Sequence, residues 1–189
     1  MRVQLRPFYS SDELRRVYAH PYDHTRWEDH RTRVALTTQF ARWYADSYRV
    51  RSIADLTCGD GAIARNVAAG TERLLTLSDM VHADHLDMIG PIENALPLLD
   101  PVGVDMFICT ETLEHVERPD ELLAEIRKRA KILILSTPDG ETNNANPEHY
   151  WGWDVPEIEG MLHNAGWKAD RLLMYDTQLV YNFQIWGCL

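Results

Sequence analysis

Seven residues, Asp55-Leu56-Thr57-Cys58-Gly59-Asp60-Gly61, set acids and two glycines between a short apolar run (Ser52-Ile53-Ala54) and a helix-favouring one, Ala62 to Ala69. Glycine has no Cβ and tolerates positive φ, so such a turn lets a ligand approach the backbone. The first helical turn also aims unpaired N–H groups at whatever binds there. Asp55, closing the strand, can neutralise or hydrogen-bond a cationic group. No Gly-Lys-Ser/Thr follows, which excludes a phosphate loop. A second acid, Asp79, falls 24 residues later, after the apolar run Arg73–Leu77. A carboxylate there can accept both ribose hydroxyls of a nucleoside lying across the carboxyl edge of a sheet; an exposed turn aspartate is the other reading. Glu111, Glu114 and His115 cluster downstream, with His149 beyond them. Imidazole is the natural proton acceptor near neutral pH. Asp79, His82, Asp84, His85 and Asp87 have the composition of a metal site, but a turn followed by a strand scatters such side chains, and no metal is expected.

The elements that must position these residues alternate. Residues 11–49 read as one or two helices, with Val34, Leu36, Phe40, Trp43 and Tyr44 at helical spacing. Pro21 breaks the pattern between them. Strands are predicted at Ser52–Leu56, Arg73–Leu77, Leu86–Ile89, Val104–Thr110 and Lys131–Ser136, with helices at Ala62–Ala69 and about Asp120–Arg129. A helix over about Val155–Ala165 and strands at Arg171–Tyr175 and Val180–Gly187 close the chain. This order predicts an α/β fold: a mostly parallel sheet with a hairpin-like antiparallel edge.

The chain has 189 residues, 45% hydrophobic and 25% charged, which suits one domain with a full core. No apolar run approaches the roughly 18 residues of a membrane span, and no signal peptide opens the chain. Cys58, Cys109 and Cys188 are three in number and widely spaced, so they read as reduced thiols of a cytoplasmic protein. Residues 1–51 carry 10 Arg against 6 acids, net +4, and the remainder carries 9 bases against 23 acids, net −14. So acidic a body argues against non-specific nucleic-acid binding, which depends on neutralising phosphates. The basic N-terminal segment leaves an anionic substrate open. The oligomeric state is not legible.

Taken in order, the motifs resemble those of class I S-adenosylmethionine (SAM)-dependent methyltransferases, from about Ser52 to the C-terminus. The turn after Asp55 resembles the family's acid-x-Gly-x-Gly-x-Gly, with Thr57 at the first Gly position. The run Val104-Asp105-Met106-Phe107-Ile108-Cys109-Thr110-Glu111-Thr112-Leu113-Glu114-His115-Val116 resembles the strand-four pattern of the small-molecule O- and N-methyltransferases. Pro119 to Leu123, Ser136-Thr137-Pro138-Asp139, Asn146-Pro147-Glu148-His149 and Leu162–Trp167 are similar to the motifs that follow in that family. Rossmann dehydrogenases lack this downstream series. Departures are the short Asp79-to-Leu96 connection and Pro91, which stands where the family's adenine-side acid is usual.

The resemblance implies a Rossmann-like, mostly parallel sheet of seven strands or slightly fewer, helices on both faces and an antiparallel last strand. It implies SAM as cofactor, held by Asp55, Thr57, Cys58, Gly59, Asp60, Gly61, Asp79, Met80, Glu93, Asn94, Thr110 and Glu111. Residues 51–189 would form the SAM-binding core, and residues 1–50 a helical segment covering cofactor and acceptor. The reaction is methyl transfer to oxygen or nitrogen of a small polar metabolite, an in-line displacement in which the protein aligns the partners and often removes a proton. His149 is the favoured base; His115, placed beside the cofactor, and Glu111 are the alternatives. Tyr22, His24, Trp27 and Arg31 line the acceptor pocket or pack on the sheet. Tyr150 and Trp151 wall that pocket or are core aromatics. The rival functions are a catalytically silent SAM-binding module and, ranked last, a nucleic-acid methyltransferase. Thr110-Glu111-Thr112-Leu113 is not the Pro-Pro-aromatic turn of base-amino enzymes, and Cys109 follows Ile108 where a cytosine C5 enzyme needs Pro.

Overall fold

The computed structural model describes residues 1–18, 28–143, 146–176 and 182–189. In chain order the elements begin with β1 (Val3–Gln4), α1 (Ser11–Val17), α2 (Glu28–Ser47), β2 (Ser52–Asp55), α3 (Ala62–Ala68), β3 (Leu74–Asp79) and β4 (Met88–Ile89). They continue with α4 (Ile92–Ala95), β5 (Val104–Thr110), α5 (Pro119–Arg127), β6 (Ala130–Asp139), β7 (Trp151–Gly152), α6 (Val155–Asn164), β8 (Ala169–Tyr175) and β9 (Asn182–Cys188). Local chemistry sets several starts. Ser10 and Glu13 form a reciprocal capping box at α1. Asp154 accepts from the Glu157 N–H to cap α6, and Pro119 opens α5.

Seven strands form one sheet in the order β4-β3-β2-β5-β6-β9-β8. The first five are mutually parallel; β9 pairs antiparallel with both β6 and β8. The architecture is therefore the α/β sheet the sequence predicts, with β8 rather than β9 at the edge. Two features were not anticipated. A small ribbon pairs β1 with β7, and β6 runs three residues beyond Ser136 because β9 continues its ladder as far as Asp139↔Asn182.

Helices cover both faces, and the period of two in the strands divides the core between them. Met106, Ile108, Ile132 and Ile134 face one cluster, with Ala41, Tyr44 and Ala45 of α2 and Ile63, Ala64 and Val67 of α3. Phe107, Cys109, Leu133 and Leu135 face the other, with α5, α6, Trp153 and Trp186. Buried on both sides, β5 and β6 read as unbroken apolar runs.

The seat of α2 departs from the sequence reading. Its buried line runs through Arg33, Thr37, Ala41, Tyr44 and Ala45, while Trp43 is exposed. Tyr44 lies against bare backbone at Gly187 of β9, where a Cβ would meet its ring at 2.2 Å. Its hydroxyl donates to Asp170 at 2.7 Å. This fit fixes the height of α2 on the sheet, and with it the place of Arg33, about three turns earlier.

Candidate active site

The strand order reverses between β2 and β5, and at such a reversal the carboxyl ends of parallel strands leave a crevice. A cavity of about 970 Å³ occupies it. The β2–α3 turn forms one wall. Gly59 takes φ of 55° and Gly61 a φ of 70° as it caps α3, both in the left-handed region that suits glycine. The Gly59 N–H donates to Asp79 Oδ2 at 2.8 Å, tying the turn to the end of β3. Thr57 Oγ1 meets Thr112 Oγ1 at 2.7 Å, and Thr112 donates onward to the Thr110 carbonyl at 3.2 Å, so the ends of β2 and β5 are laced together.

Of the residues the sequence assigns to a cofactor, Thr57, Gly59, Asp79, Met80, Glu93, Thr110 and Glu111 line this cavity. Asn94 is exposed outside it. Pro91 and Ile92 line it beside Glu93. Asp55, Cys58 and Asp60 border instead a small void of about 20 Å³ that shares Arg33, Thr57 and Thr110 with the large one. Gly61 shapes the turn: a Cβ there would press on Arg65 at 3.1 Å and His85 at 3.3 Å. Burial pushes the Asp55 carboxyl up to about 8, against weaker help from the Thr57 N–H, with Asp79 and Asp60 adding repulsion. The Cys58, Cys109 and Cys188 thiols are buried, unbridged and raised by desolvation, hence unreactive.

Sequence reasoning missed Arg33. Its side chain is only 2% exposed, lies 3.9 Å from Glu111 Oε1, and presents Nε and Nη1 with no hydrogen-bond acceptor among the described residues. The signal was present: Arg33 and Thr37 continue the i, i+4 line of Ala41 and Ala45, a charged residue on a buried stripe. Arg31, the residue predicted instead, is exposed and lies outside the cavity lining. Tyr22, His24 and Trp27 fall outside the described residues. Tyr150 is buried and lines the cavity, whereas Trp151 does not; its indole donates to the Val116 carbonyl at 2.8 Å and it packs on the core.

The catalytic candidates form one group. Glu111 sits at φ 52°, a left-handed conformation costly for a non-glycine residue and typical of functional sites. Its carboxylate accepts from Ser136 Oγ at 2.7 Å, and burial raises it while Arg33 opposes. His115 and His149, which the sequence separates into cofactor-side and acceptor-side roles, lie edge to face with ring centres 4.8 Å apart. Burial drives each down to about 3, His115 also repelled by His149 and His149 by Arg6. Either ring is neutral at pH 7 but poorly matched, as a lone general base, to that pH. His149 Nδ1 lies 2.6 Å from Glu141, whose carboxyl burial raises to about 7.

Solved structures share this architecture. The chain superposes on a magnesium protoporphyrin IX methyltransferase of Synechocystis with bound SAM at TM-score 0.63 and 18% identity, covering 94% of this chain and 89% of that one. A 1,6-didemethyltoxoflavin N1-methyltransferase of Burkholderia thailandensis, with its substrate and S-adenosylhomocysteine, gives TM-score 0.68 at 14% identity, covering 97% and 91%. The fold is that of class I SAM-dependent methyltransferases. The N-terminal domain of EvdMO1, solved with S-adenosylhomocysteine and D-fucose, gives TM-score 0.62 at 19% identity over 80% of this chain and 82% of that one. No family model matches the chain, and no curated protein matches it in sequence. Among the described residues, no helix is long and apolar enough to cross a membrane.

Proposed function

We propose that this chain transfers a methyl group from SAM to an oxygen or nitrogen of a small polar molecule. The observation that carries the reading is Arg33, a buried guanidinium with two donor nitrogens lacking acceptors among the described residues, on the wall of a crevice at the strand reversal. A buried charge is costly until it is paired and hydrogen-bonded. Arg33 and Asp55 border the same small void; the guanidinium suits the carboxylate end of a zwitterionic amino-acid moiety such as SAM carries, and Asp55, giving up its proton as a cation binds, suits the ammonium end. Asp79 keeps lone pairs for ribose hydroxyls after accepting the Gly59 N–H. Glu93 lines the adenine side beside Pro91 and Ile92. Bound there, SAM supplies an electrophilic methyl group on a sulfonium.

The chain's own residues account for the rest. Thr57 and Thr112 hold the two strand ends together, so the crevice is rigid where alignment matters most. Leu14, Val17 and Tyr18 from α1 and its end, together with His30 from α2, contribute to the cavity lining, which supports a covering role for residues 1–50. Tyr150, Tyr18 and the two histidines line the side facing the acceptor, and their neutral rings suit a polar organic molecule.

Calorimetric titration with S-adenosylhomocysteine, followed by detection of its release from SAM in the presence of a metabolite extract, tests the reading. Binding without release in any extract would favour a silent SAM-binding module. No binding by the folded protein would refute the proposal.

A further inference from the structure

Glu114, His115 and His149 each offer a donor atom within 4.8 Å of the other two. Glu114 is wholly buried, and its Oε1 has no hydrogen-bond partner among the described residues. The rest of its carboxylate is held rigidly. Thr137 Oγ1 accepts from Trp153 Nε1 at 2.8 Å and bridges to Glu114 Oε2 at 3.0 Å, while burial and the neighbouring Glu111 raise the Glu114 carboxyl, whose proton a bound cation would displace. The threonine bridge leaves Oε1 aimed at His115 Nε2, 3.9 Å away.

Both imidazoles are fixed in the matching tautomer. His115 Nδ1 lies 3.1 Å from the Glu148 carbonyl and 3.0 Å from the Tyr18 hydroxyl; the carbonyl can only accept and the hydroxyl can accept too, so a proton on Nδ1 suits both contacts and leaves the lone pair on Nε2. His149 Nδ1 donates to Glu141 at 2.6 Å, which again leaves Nε2 as the lone-pair nitrogen. Asn146 Nδ2 donates to that nitrogen at 2.9 Å, its amide oriented by the Glu148 N–H on Oδ1, and an incoming ion would displace it. Two neutral histidines, each with its Nδ1–H tied to an oxygen, and a carboxylate with one idle buried oxygen form the donor set and outer support of a metal site. Ligand atoms around one ion at bonds of about 2.1 Å stand roughly 3–4.2 Å apart, so donors already within 4.8 Å of one another need a small inward movement to close on it.

We propose that Glu114 Oε1, His115 Nε2 and His149 Nε2 bind a divalent first-row metal ion, and that the methyl acceptor is a hydroxyl that joins it as a further ligand. Two imidazoles and one carboxylate suit zinc, iron, cobalt or manganese and leave positions open. The second half rests on the methyl-transfer reading. Both histidines line the cavity, so an ion there faces the acceptor. A metal-bound hydroxyl loses its proton more readily, here to water in the cavity. The oxygen then forms the O–CH3 bond as the S–CH3 bond breaks, its electron pair remaining on sulfur. This assigns activation of the acceptor to the pair of weakly basic histidines together.

Chelator-stripped protein is titrated with Co2+ in the absence of SAM, followed by visible absorption and calorimetry. One equivalent should bind with a ligand-field spectrum. Glu114→Gln and His115→Ala should each weaken binding at least tenfold, and Glu141→Gln, acting through His149, by about 10–100-fold. Thermal scans confirm that each variant is folded. No binding by the wild-type protein at 1 mM Co2+ (roughly the weakest affinity a built site would show), or equal binding by folded Glu114→Gln and His115→Ala, would overturn the site. Chelation should abolish methyl transfer and leave S-adenosylhomocysteine affinity within twofold. Cobalt binding without S-adenosylhomocysteine binding would uphold the ion site and overturn the reaction assigned to it; the reverse result would overturn the ion site alone.

Discussion

Replacing Arg33 by Met separates a binding role from a structural one. The guanidinium is 2% exposed; among the described residues it faces Glu111 at 3.9 Å, beyond hydrogen-bond reach, and the Phe183 ring at 5.4 Å, and its Nε and Nη1 have no acceptor there. The protein without ligand thus bears the cost of burying a charge that is poorly repaid. Methionine fills much of the same volume, and exchanging weakly paired buried charge for apolar packing is neutral or stabilising by up to about 1–4 kcal/mol. The carboxylate end of the cofactor, by contrast, loses charge-assisted hydrogen bonds worth about 1.5–3 kcal/mol. At 1.4 kcal/mol per decade that is roughly a 10- to 150-fold loss of affinity. Calorimetric titration with S-adenosylhomocysteine and thermal scans without ligand measure the two effects. The expected result is weakened binding with an unchanged or raised melting temperature, and Arg33→Lys should recover part of the affinity. Affinity within twofold of wild type, or a fall in melting temperature without loss of affinity, would refute the assignment.

Asp79→Ala should weaken S-adenosylhomocysteine binding by about 1.5–3 kcal/mol and loosen the turn by freeing the Gly59 N–H, which calorimetry and amide exchange at Gly59 would register. For Asp55 the folded-state value near 8 stands above the ordinary 3.8, so the folded chain holds a proton the unfolded chain has lost. That stability is present below pH 4 and is lost as pH rises through 8, at up to about 1.4 kcal/mol per pH unit relative to Asp55→Asn; denaturant melts of both proteins across pH 4–9 check the slope. Binding of a cation beside Asp55 should expel its proton near pH 7, visible as buffer-dependent heats of ligand binding. Gly187→Ala should destabilise the fold by about 1–3 kcal/mol, because the new methyl group would strike the Tyr44 ring, and a thermal scan would detect it.

The sequence by itself determined the alternation of strands and helices, since runs such as Val104–Thr110 and Lys131–Ser136 are apolar enough to be buried on both faces and have no other stable use. It also determined the turn at Gly59 and Gly61, where positive φ demands glycine, and Asp79 at a strand's end. The β1–β7 ribbon was not legible, because two-residue strands carry no periodicity. Nor was the side of α2 that faces the sheet. Hydrophobicity favours a stripe through Trp43, whereas the notch at Gly187 takes Tyr44 and turns Arg33 inward. Trp43 stays outside, where it stacks under Arg171. The meeting of His115 with His149 was decided by tertiary structure alone. Thirty-three residues separate Glu148 from His115, and only the return of the Asn146–His149 loop across the end of β5 brings the Glu148 carbonyl onto one ring and sets the other beside it. Burial in that contact then fixes what the pair can do, holding both rings neutral with their lone pairs beside the idle oxygen of Glu114.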